Sequence, residues 1–558
     1  MLETVEKTGG YAPLEKHHDG LGRDTTLGRN FSKDVVLIGN NSDPDQIVKD
    51  RLFQVTGAVS IAKDGQQGIG RWLARTYRDN LRYDRSCNQW YMYESPVWKP
   101  DICGNAFRLF DGLRSALSEA SVIIRYELKK EYSAGKYSTE RGKQGIYEGT
   151  FSKALRPFAS GENPELENLT TLLLKTRQEL TQTAYRRECL NFAKQGDEDH
   201  EGLSIDGTQW NRNDNLVGCL NGILDLSTGE LRTGTPEDFI SYQAPVNYNP
   251  KAECPTFEKF VREILDADDE LYYFVRRLFG LCLLGDGKQK ERIVIMHGRG
   301  RNGKGTLMDI IHYVLGNDYA GKIDPSLLLG HKDKTAKAGV ELHSLKDKRL
   351  VYTEESNEGA KLNSASVKQI TGGSQLLGRA LYSSPTLFTS RLMLFFETNS
   401  LPELSSSDYG LDQRMIRLDF PFSYVENPVR PFEKKLDPSL PATLRSEAEG
   451  IFNWMVRGYA DYLGRGRKLD IPKAIEDLNE EYSKDFDTVS YYLEKYCTIG
   501  DGLRVSSAEL YANYEMHMRN DDKEKLGKQT FFRELKDRKF ERRMDGYGTM
   551  CFYRISIK

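Results

Sequence analysis

Residues 292–316 read RIVIMHGRGRNGKGTLMDIIHYVLG and carry the strongest structural signal in the chain. A short apolar run at 293–296 precedes a glycine-rich stretch, and a run with helical spacing of apolar residues follows it. Backbone N–H groups of a glycine-rich turn, added to the positive end of the next helix, form a ready anion site. The segment therefore predicts a buried strand, a phosphate-binding loop over 297–306, and a helix.

The loop departs at one position from the strict pattern G-x-x-x-x-G-K-[ST]. Gly305 follows Lys304 and lacks the hydroxyl that normally ligates Mg²⁺ there. Thr306 could take this role, or the metal could be held by phosphates, water and a distant carboxylate. Lys304 is expected to reach the terminal phosphates, and the glycines to form the tight turn. The predicted ATP-binding residues are Gly298, Gly300, Asn302, Gly303, Lys304, Gly305 and Thr306.

Two later apolar segments end in polar residues that suit nucleotide hydrolysis. The segment KRLVYTEES (348–356) predicts a strand ending in Glu354 and Glu355, which could hold the metal's water and activate the attacking water. The segment LMLFFETNSLPEL (392–404) ends its apolar run near Asn399, which could orient a water at a phosphate. Two alternatives stay open: the acids are ordinary surface residues, and Asn399 is a turn former before Ser-Leu-Pro.

This order of elements defines the expected fold class and domain organisation. A strand, a glycine loop, a helix and further buried strands predict an α/β core with a parallel sheet and the loop at its carboxyl edge. The expected segments are a flexible N-terminal arm (1–50), a mixed α/β accessory domain (51–250), a helical connector (251–290), the core (291–425), a helical segment (426–480) and a winged-helix-like domain (481–558).

The accessory domain shows several local patterns. GIGRWLARTYRDNLRY (68–83) predicts a helix, the aromatic-rich NQWYMYESPVWKPD (88–101) predicts strand, and residues 105–195 form a long helical tract. LVGCLNGILDLSTGELR (216–232) alternates apolar residues around a Ser-Thr-Gly turn and predicts a hairpin.

Composition excludes several classes of protein. The 558 residues include 79 Lys or Arg against 82 Asp or Glu, so nucleic-acid binding must come from local patches. Eight cysteines without a C-x-x-C pair predict a reduced, cytoplasmic protein with no structural zinc. The N-terminus lacks the apolar core of a signal peptide. The sequence also contains no run of about 18 apolar residues, which a membrane-spanning helix would require.

The C-terminal residues combine helices with a basic charge. SSAELYANYEMHM (506–518) and KQTFFRELKDRKF (528–540) predict amphipathic helices, and FERRMDGYGTMCFYRISI (540–557) predicts a hairpin turning near residues 545–546. From Lys523 onward there are 11 Lys or Arg against 5 Asp or Glu. This pattern predicts a winged helix that binds duplex or origin DNA; charge that only keeps the domain soluble is the alternative.

The motifs together carry a family resemblance. GRGRNGKGT, RLVYTEESNEGAKL, SVKQITGGSQLLGRALYSSPTLFT, LMLFFETNSLPE and DQRMIRLDFPF occur in this order over about 130 residues. The order is similar to that of the superfamily 3 helicases, specifically their poxvirus and phage or plasmid primase–helicase branch. Residues upstream also resemble that family's N-terminal domain. The resemblance implies an AAA+ P-loop core, a ring that is most often a hexamer, and ATP with Mg²⁺ between subunits.

The resemblance also assigns roles to residues. It implies that Lys304 binds phosphate, that Glu354 and Glu355 serve Mg²⁺ and water, and that Asn399 is the sensor. An arginine finger that reaches the neighbouring subunit's γ-phosphate is implied at Arg414, with Arg417 as the second choice; an ordinary surface arginine is the alternative. The segment that grips single-stranded DNA in the ring's channel is implied to present Lys368, Arg379 and Tyr382; a solvated helix residue is the alternative for Lys368.

These expectations lead to one functional hypothesis and two alternatives. The hypothesis is an ATP-driven, ring-shaped replicative DNA helicase of a phage, plasmid or genomic island, moving 3′ to 5′ as the family implies. The alternatives are a replication initiator whose ATPase switches assembly, and a nucleotide-binding ring without efficient hydrolysis. Only about 50 residues precede the matching region, so we expect no primer synthesis by this chain alone and a separate primase or polymerase as partner.

Overall fold

The computed structural model describes residues 44–139, 144–161, 165–197, 200–285, 291–329, 336–353, 362–373, 375–379, 386–402, 414–521, 523 and 525–558. The chain divides into two compact units. The first comprises Met1–Tyr93 and Lys99–Gly207, and the second comprises Glu94–Trp98 and Thr208–Lys558. Within the described residues, no helix combines the length and apolar character that crossing a membrane requires.

The first unit is mainly helical. Its helices are α1 (Pro44–Lys63), α2 (Gly65–Thr76), α3 (Leu109–Ser133), α4 (Thr150–Leu155), α5 (Asn168–Glu179) and α6 (Thr183–Gln195). The helical tract predicted over 105–195 is therefore present as α3 to α6. Helix α1 begins inside the segment expected to be a flexible arm, because Val55, Ala58 and Val59 bury one face of it in the core. Residues 1–43 of that predicted arm lie outside the described residues.

Short strands complete this unit. The strands in this stretch are β1 (Leu81–Asp84), β2 (Gln89–Glu94), β3 (Val97–Pro100), β4 (Tyr137–Ser138), β5 (Ile146–Tyr147), β6 (Gly196–Asp197), β7 (His200–Glu201) and β8 (Ser204–Ile205). Of these residues, Glu94, Val97 and Trp98 belong to the second unit. The aromatic segment 88–101 forms strands as predicted. The helix predicted over 68–83 is wrong at its end, because Leu81–Asp84 pairs antiparallel with β2 and parallel with β8. Pairing on both edges overrides the local helical pattern.

The second unit begins with an antiparallel meander. Its strands are β9 (Leu216–Cys219), β10 (Gly222–Asp225) and β11 (Glu230–Arg232). The hairpin predicted around the Ser-Thr-Gly turn joins β10 to β11, and a second hairpin joins β9 to β10. Two helices follow, α7 (Pro255–Ile264) and α8 (Asp269–Leu281), within the stretch predicted to be a helical connector.

A five-stranded parallel sheet forms the centre of the second unit. Its strands are β12 (Ile293–His297), β13 (Ala320–Ile323), β14 (Leu350–Thr353), β17 (Met393–Thr398) and β18 (Met415–Asp419). Four further strands lie outside this sheet and form two separate pairs: β15 (Gln375–Gly378) with β16 (Thr386–Thr389), and β19 (Ser423–Val425) with β20 (Glu433–Lys435). The strand order is β13-β14-β17-β12-β18, and every neighbouring pair is parallel. The predicted parallel α/β sheet is confirmed.

Helices cover both faces of this sheet, which explains why its three central strands, β12, β14 and β17, are almost wholly buried. The helices are α9 (Lys304–Tyr319), α10 (Ala336–Ser344), α11 (Ser364–Thr371), α12 (Leu440–Ser446), α13 (Ala448–Gly464) and α14 (Lys473–Phe486). Helices α8 and α13 approach very closely at two glycines. A methyl group on Gly458 would lie 2.0 Å from the Arg276 carbonyl oxygen, and one on Gly280 would lie 2.3 Å from the Tyr459 nitrogen.

Helix α14 packs against the parallel sheet and is not part of the C-terminal domain. The sequence predicts that this domain starts at residue 481, inside the helix. The Asn479 side chain accepts a hydrogen bond from the Arg417 backbone N–H (3.1 Å) and donates one to the Met415 carbonyl (3.0 Å), both on β18. Tyr482 is buried in the core on the same side of the sheet. The boundary therefore falls after α14, near Asp487.

The C-terminal residues form a small body with a hydrophobic core of its own. Its elements are α15 (Thr488–Tyr496), β21 (Cys497–Ser506), α16 (Ser507–Asn520), α17 (Lys528–Asp537), β22 (Arg542–Met544) and β23 (Met550–Ile557). The strands form an antiparallel sheet in the order β21-β23-β22. Both predicted helices and the predicted hairpin are present, and the hairpin turns at Asp545–Gly548.

Asp487 ties the start of this body together. Its carboxylate caps α15 by accepting from the Ser490 backbone N–H (2.9 Å), and it accepts two hydrogen bonds from the Arg538 guanidinium (2.7 and 2.8 Å). Burial raises the pKa of Asp487, but the hydrogen bonds from Ser490 and the charge of Arg538 outweigh it, so its pKa lies below the ordinary value of 3.8.

Candidate nucleotide-binding site

The glycine-rich loop lies between β12 and α9 at the carboxyl edge of the parallel sheet. Gly298 has φ +152° and Gly303 has φ +89°, conformations that side-chain-bearing residues rarely adopt. A methyl group on Gly298 would lie 2.5 Å from the Phe420 carbonyl oxygen, and one on Gly303 would lie 2.9 Å from Ile264. At Gly300, φ is not positive, and a methyl group would have no described atom within 4 Å. Only two of the three glycines are sterically required.

Strands β18 and β19 hold the loop in place. The Arg301 carbonyl accepts a hydrogen bond from the Tyr424 N–H (2.7 Å), and the Gly300 carbonyl accepts one from the Ser423 hydroxyl (3.1 Å). The His297 carbonyl accepts from the Phe420 N–H (2.8 Å). The loop is therefore fixed from outside, which is the condition for a preorganised anion site.

Lys304 and Asn399, predicted from separate segments, lie together. Lys304 is the first residue of α9, and its side chain is buried with only 5% of the residue exposed. Its Nζ donates to the Gly298 carbonyl (2.6 Å) and to the Asn399 side-chain oxygen (3.2 Å). Asn399 follows β17, the strand next to β12. The ammonium group and the amide are thus at one edge of the sheet, where the loop turns.

Asn302 offers an unused donor inside the loop. It is 3% exposed, and its side-chain oxygen accepts a long hydrogen bond from the Lys304 N–H (3.4 Å). Its side-chain nitrogen has no hydrogen-bond partner within the part of the chain that the structure describes. Because buried polar groups are rarely left unpaired, this donor fits an anion that completes the site.

A cavity of about 830 Å³ opens beside the loop. Gly303 and Thr306 form part of its wall, and Phe260, Tyr424 and Leu436 are among its other lining residues. Tyr424 donates its hydroxyl to Glu263 (3.0 Å), and its pKa is raised by burial and by the charge of that carboxylate. A volume of this size with aromatic side chains in its wall suits a small organic ligand such as a nucleoside.

Glu397 is a residue that the sequence reasoning did not single out. It lies on β17, is 9% exposed, and its backbone N–H donates to the Thr353 hydroxyl of β14 (3.3 Å). A methyl group on Gly305 would lie 3.9 Å from its carboxylate oxygen Oε2. An acid inside the otherwise apolar run LMLFFE was the available signal, since a buried charge is costly unless it has a partner.

Three of the predicted site residues are not among those that the structure describes. Glu354, Glu355 and Tyr382 lie outside the described residues, although β14 ends at Thr353, directly before the two acids. Among the described residues, no group of three or more His, Cys, Asp or Glu side chains is arranged to hold a metal ion. Mg²⁺ fits this site without such a group, because one or two carboxylates together with substrate phosphates and water usually hold it.

Arg414 lies at the opposite edge of the sheet from the loop. It precedes β18, and its carbonyl accepts from the Ile293 N–H at the start of β12. Its guanidinium donates to the Thr371 hydroxyl (3.2 Å) and to Glu291 (3.4 Å). The five residues of β12 separate the two edges by roughly 16 Å at ~3.3 Å per residue. Arg414 therefore cannot reach the loop of its own subunit.

Arg417, the second choice for the finger, is held within its own subunit. It donates two hydrogen bonds to Asp419 (2.7 and 2.8 Å), and the His297 ring lies 3.1 Å from the same carboxylate. Burial raises the pKa of Asp419, but these two partners outweigh it and keep its pKa below the ordinary value. Arg417 is thus held by two short hydrogen bonds to one carboxylate, whereas Arg414 makes longer hydrogen bonds to Thr371 and Glu291.

The predicted DNA-contacting segment forms a helix and a hairpin. Lys368 lies in the last turn of α11, and Arg379 follows β15 and is exposed. Strands β15 and β16 pair antiparallel, with Leu377 opposite Leu387. These two leucines are 57% and 59% exposed, whereas the next pair along the strands is buried against the sheet. The hairpin therefore presents an apolar pair and a basic residue on its outer side.

Comparison with known proteins adds independent information. Residues 70–266 match the family model described as "D5 N terminal like". "Putative helicase L207/L206" of Acanthamoeba polyphaga mimivirus is 24% identical over 504 residues, which cover 85% of this chain and 48% of that protein. "Putative primase C962R" of African swine fever virus is 26% identical over 294 residues, which cover 50% of this chain and 30% of that protein.

Among solved structures, "The apo structure of NrS-1 C terminal region (305-718)" matches with 9% identity and a TM-score of 0.44, covering 88% of this chain and 98% of that one. The chain spans about half or less of the length of the two viral relatives. The family match and the viral relatives fit a D5-like superfamily 3 primase–helicase, the resemblance that the sequence motifs indicate.

Proposed function

We propose that this chain, which fits the D5-like superfamily 3 primase–helicases, is an ATP-driven DNA helicase that replicates a viral or other mobile genome. One observation supports this most: the loop, Lys304 and Asn399 meet at the carboxyl edge of a parallel sheet, beside a nucleoside-sized cavity. In open α/β sheets, ligands bind at this edge.

In this proposal, the phosphates of ATP lie on the loop and the base lies in the cavity. Lys304 exchanges its bond to the Gly298 carbonyl for a phosphate oxygen, and the unpaired Asn302 amide donates to another. Asn399 orients the attacking water, and Glu354 or Glu355 accepts its proton. Mg²⁺ supplies charge neutralisation at the transferred phosphate, as in other nucleotide hydrolases.

We further propose that the active form is a ring, with a hexamer as the expected size. Arg414 is at the sheet edge opposite the loop, so it can act only on the nucleotide of another subunit. To do so, its guanidinium must leave or share the contacts to Thr371 and Glu291. An arginine supplied in trans typically raises turnover by about a thousandfold or more.

The hairpin of β15 and β16 is the proposed grip on single-stranded DNA. Lys368 and Arg379 supply charge for phosphates, and Tyr382 supplies a ring for stacking. The exposed pair Leu377 and Leu387 provides an apolar surface beside them. ATP hydrolysis around the ring then moves these side chains along one strand.

The C-terminal body is the proposed duplex-binding domain. Its element order, helix-strand-helix-helix-strand-strand, supports the assignment of a winged helix, and helix α17 exposes Lys528 and Lys536. The wing is the turn that carries Tyr547, which is 88% exposed. This basic body also favours a second candidate function, a replication initiator whose ATPase switches assembly.

The test compares wild type with Lys304→Ala for ATP turnover, strand displacement and particle mass, each with and without single-stranded DNA. The helicase proposal expects turnover that DNA stimulates, strand displacement, and loss of both in the variant while the particle mass is unchanged. Tight duplex binding and turnover without displacement would favour the initiator. Full turnover in Lys304→Ala would refute the assignment of the loop.

A further inference from the structure

Glu397 occupies an unusual position on the central strand of the sheet. Side chains alternate along a strand, so Met393, Phe395 and Glu397 share one face of β17. Met393 and Phe395 are fully buried in the core that includes Leu307 and Met308 of α9. The third residue on this face is an acid, and it lies level with the first turn of that helix.

The carboxylate faces the position at which the loop departs from the strict phosphate-binding pattern. Apart from the adjoining residues and the backbone of the helix itself, the described atom nearest to a methyl group on Gly305 would be Oε2 of Glu397, at 3.9 Å. Gly305 itself is exposed, so the carboxylate borders a gap that opens towards the loop. The position at which Gly305 lacks a hydroxyl is therefore close to the carboxylate of Glu397.

Thr306, the other candidate for a metal ligand, is directed elsewhere. Successive residues of a helix are about 100° apart around its axis. Thr306 lines the cavity together with Phe260 and Tyr424, on the side of the nucleoside. Gly305 instead borders β17. The carboxylate of Glu397 is therefore an oxygen donor beside the vacated hydroxyl position, on the side of β17, whereas Thr306 lines the cavity.

We propose that Glu397 helps to hold the Mg²⁺ of the bound nucleotide, directly or through a metal-bound water, in place of the hydroxyl that Gly305 lacks. The inference rests on the proposed ATP site. A hard carboxylate oxygen is the ligand type that Mg²⁺ prefers, and one or two carboxylates together with phosphates commonly suffice. Glu397 is 9% exposed, so its carboxylate is largely desolvated and gains from a cation beside it.

The experiment measures the affinity of a fluorescent ADP analogue with Mg²⁺ and with EDTA, in wild type and in Glu397→Gln. Wild type should bind more tightly with Mg²⁺, and the variant should lose about tenfold or more of that enhancement while its affinity in EDTA is unchanged. Asp309→Asn is the matched control, because Asp309 is an exposed acid one turn along α9 from Gly305. The control should retain the full enhancement.

A second variant supplies the missing hydroxyl. Gly305→Ser in the Glu397→Gln background should restore the Mg²⁺ enhancement, since the site leaves room for a side chain at residue 305. If Glu397→Gln does not fold, Glu397→Asp replaces it and should reduce the enhancement while keeping the charge. Electron paramagnetic resonance of Mn²⁺ with ADP gives a readout that does not depend on turnover.

The outcomes separate this inference from the function on which it rests. Wild type that binds no ADP in either condition would overturn the proposed ATP site. ADP binding with an unchanged Mg²⁺ enhancement in Glu397→Gln would overturn only the role of Glu397. Lost turnover with a normal enhancement would also overturn it, because Glu397 would then act on the attacking water instead.

Discussion

Replacing Gly298 by alanine should damage the nucleotide site, whereas the same replacement at Gly300 should leave it intact. At Gly298, φ is +152° and the new methyl group would lie 2.5 Å from both the Phe420 carbonyl oxygen and the Asn302 amide nitrogen. The Phe420 backbone is itself bonded to His297, so it has little freedom to retreat. A residue held in such a region costs about 1–3 kcal/mol.

This cost appears in one of two measurable ways. If the loop keeps its shape, the free energy of unfolding falls by about 1–3 kcal/mol. If the loop moves, ADP affinity falls by about 5- to 150-fold, since about 1.4 kcal/mol corresponds to a tenfold change. Urea unfolding and titration with a fluorescent ADP analogue together measure the sum of the two losses.

Gly300→Ala is the matched control within the same loop. A methyl group at this position would have no described atom within 4 Å, and φ is outside the left-handed region. Alanine there should keep ADP affinity and raise stability by about 0.4–1 kcal/mol, because it restricts the unfolded chain. Equal damage from the two variants, or no damage from either, would refute the reasoning.

Three further predictions concern packing, pH dependence and assembly. Gly458→Ala should destabilise the second unit by about 2 kcal/mol or more, because the new methyl group clashes with helix α8. Gly464→Ala is the control and should not destabilise it, because a methyl group there meets no described atom within 4 Å. Thermal unfolding of the two variants measures the difference. Asp487→Asn should lower stability by about 1 kcal/mol, because asparagine can still cap the helix but loses the ionic part of the two hydrogen bonds from Arg538. Because the pKa of Asp487 is lowered in the folded state, its ionic contribution is present above pH ~4 and is lost as pH falls further, so wild type and variant should converge in acid. Arg414→Ala should keep ADP affinity but lose ATP turnover, and mixing it with Lys304→Ala subunits should restore part of that turnover; no recovery in mixed rings would contradict action in trans.

Local patterns are sufficient for most elements around the loop. The apolar run 293–296, the glycines and the helical spacing after them correctly predict β12, the loop and α9. The runs ending near Thr353 and Asn399 are correctly predicted as buried strands. The same holds for the hairpin near Gly229. These features depend on residues close in sequence, so their periodicity and turn chemistry suffice.

Local patterns fail where distant pairing decides the outcome. Residues 81–84 continue a helical pattern, yet they form β1 because β2 and β8 pair with both of its edges. The C-terminal domain predicted from residue 481 includes part of helix α14, yet Asn479 bonds this helix to β18. In both cases, the partner is far away in sequence, and no periodicity within the segment reveals it.

The sequence by itself determined the type and order of the elements and the presence of a tight glycine-rich loop between β12 and α9, because strand and helix periodicity and glycine turns are local properties. Only the tertiary structure decided which side chains meet. It places Lys304 against Asn399, turns Thr306 towards the cavity, and brings Glu397 to Gly305. These contacts depend on the order of strands in the sheet, which places β17 beside β12 although about 95 residues separate them in sequence.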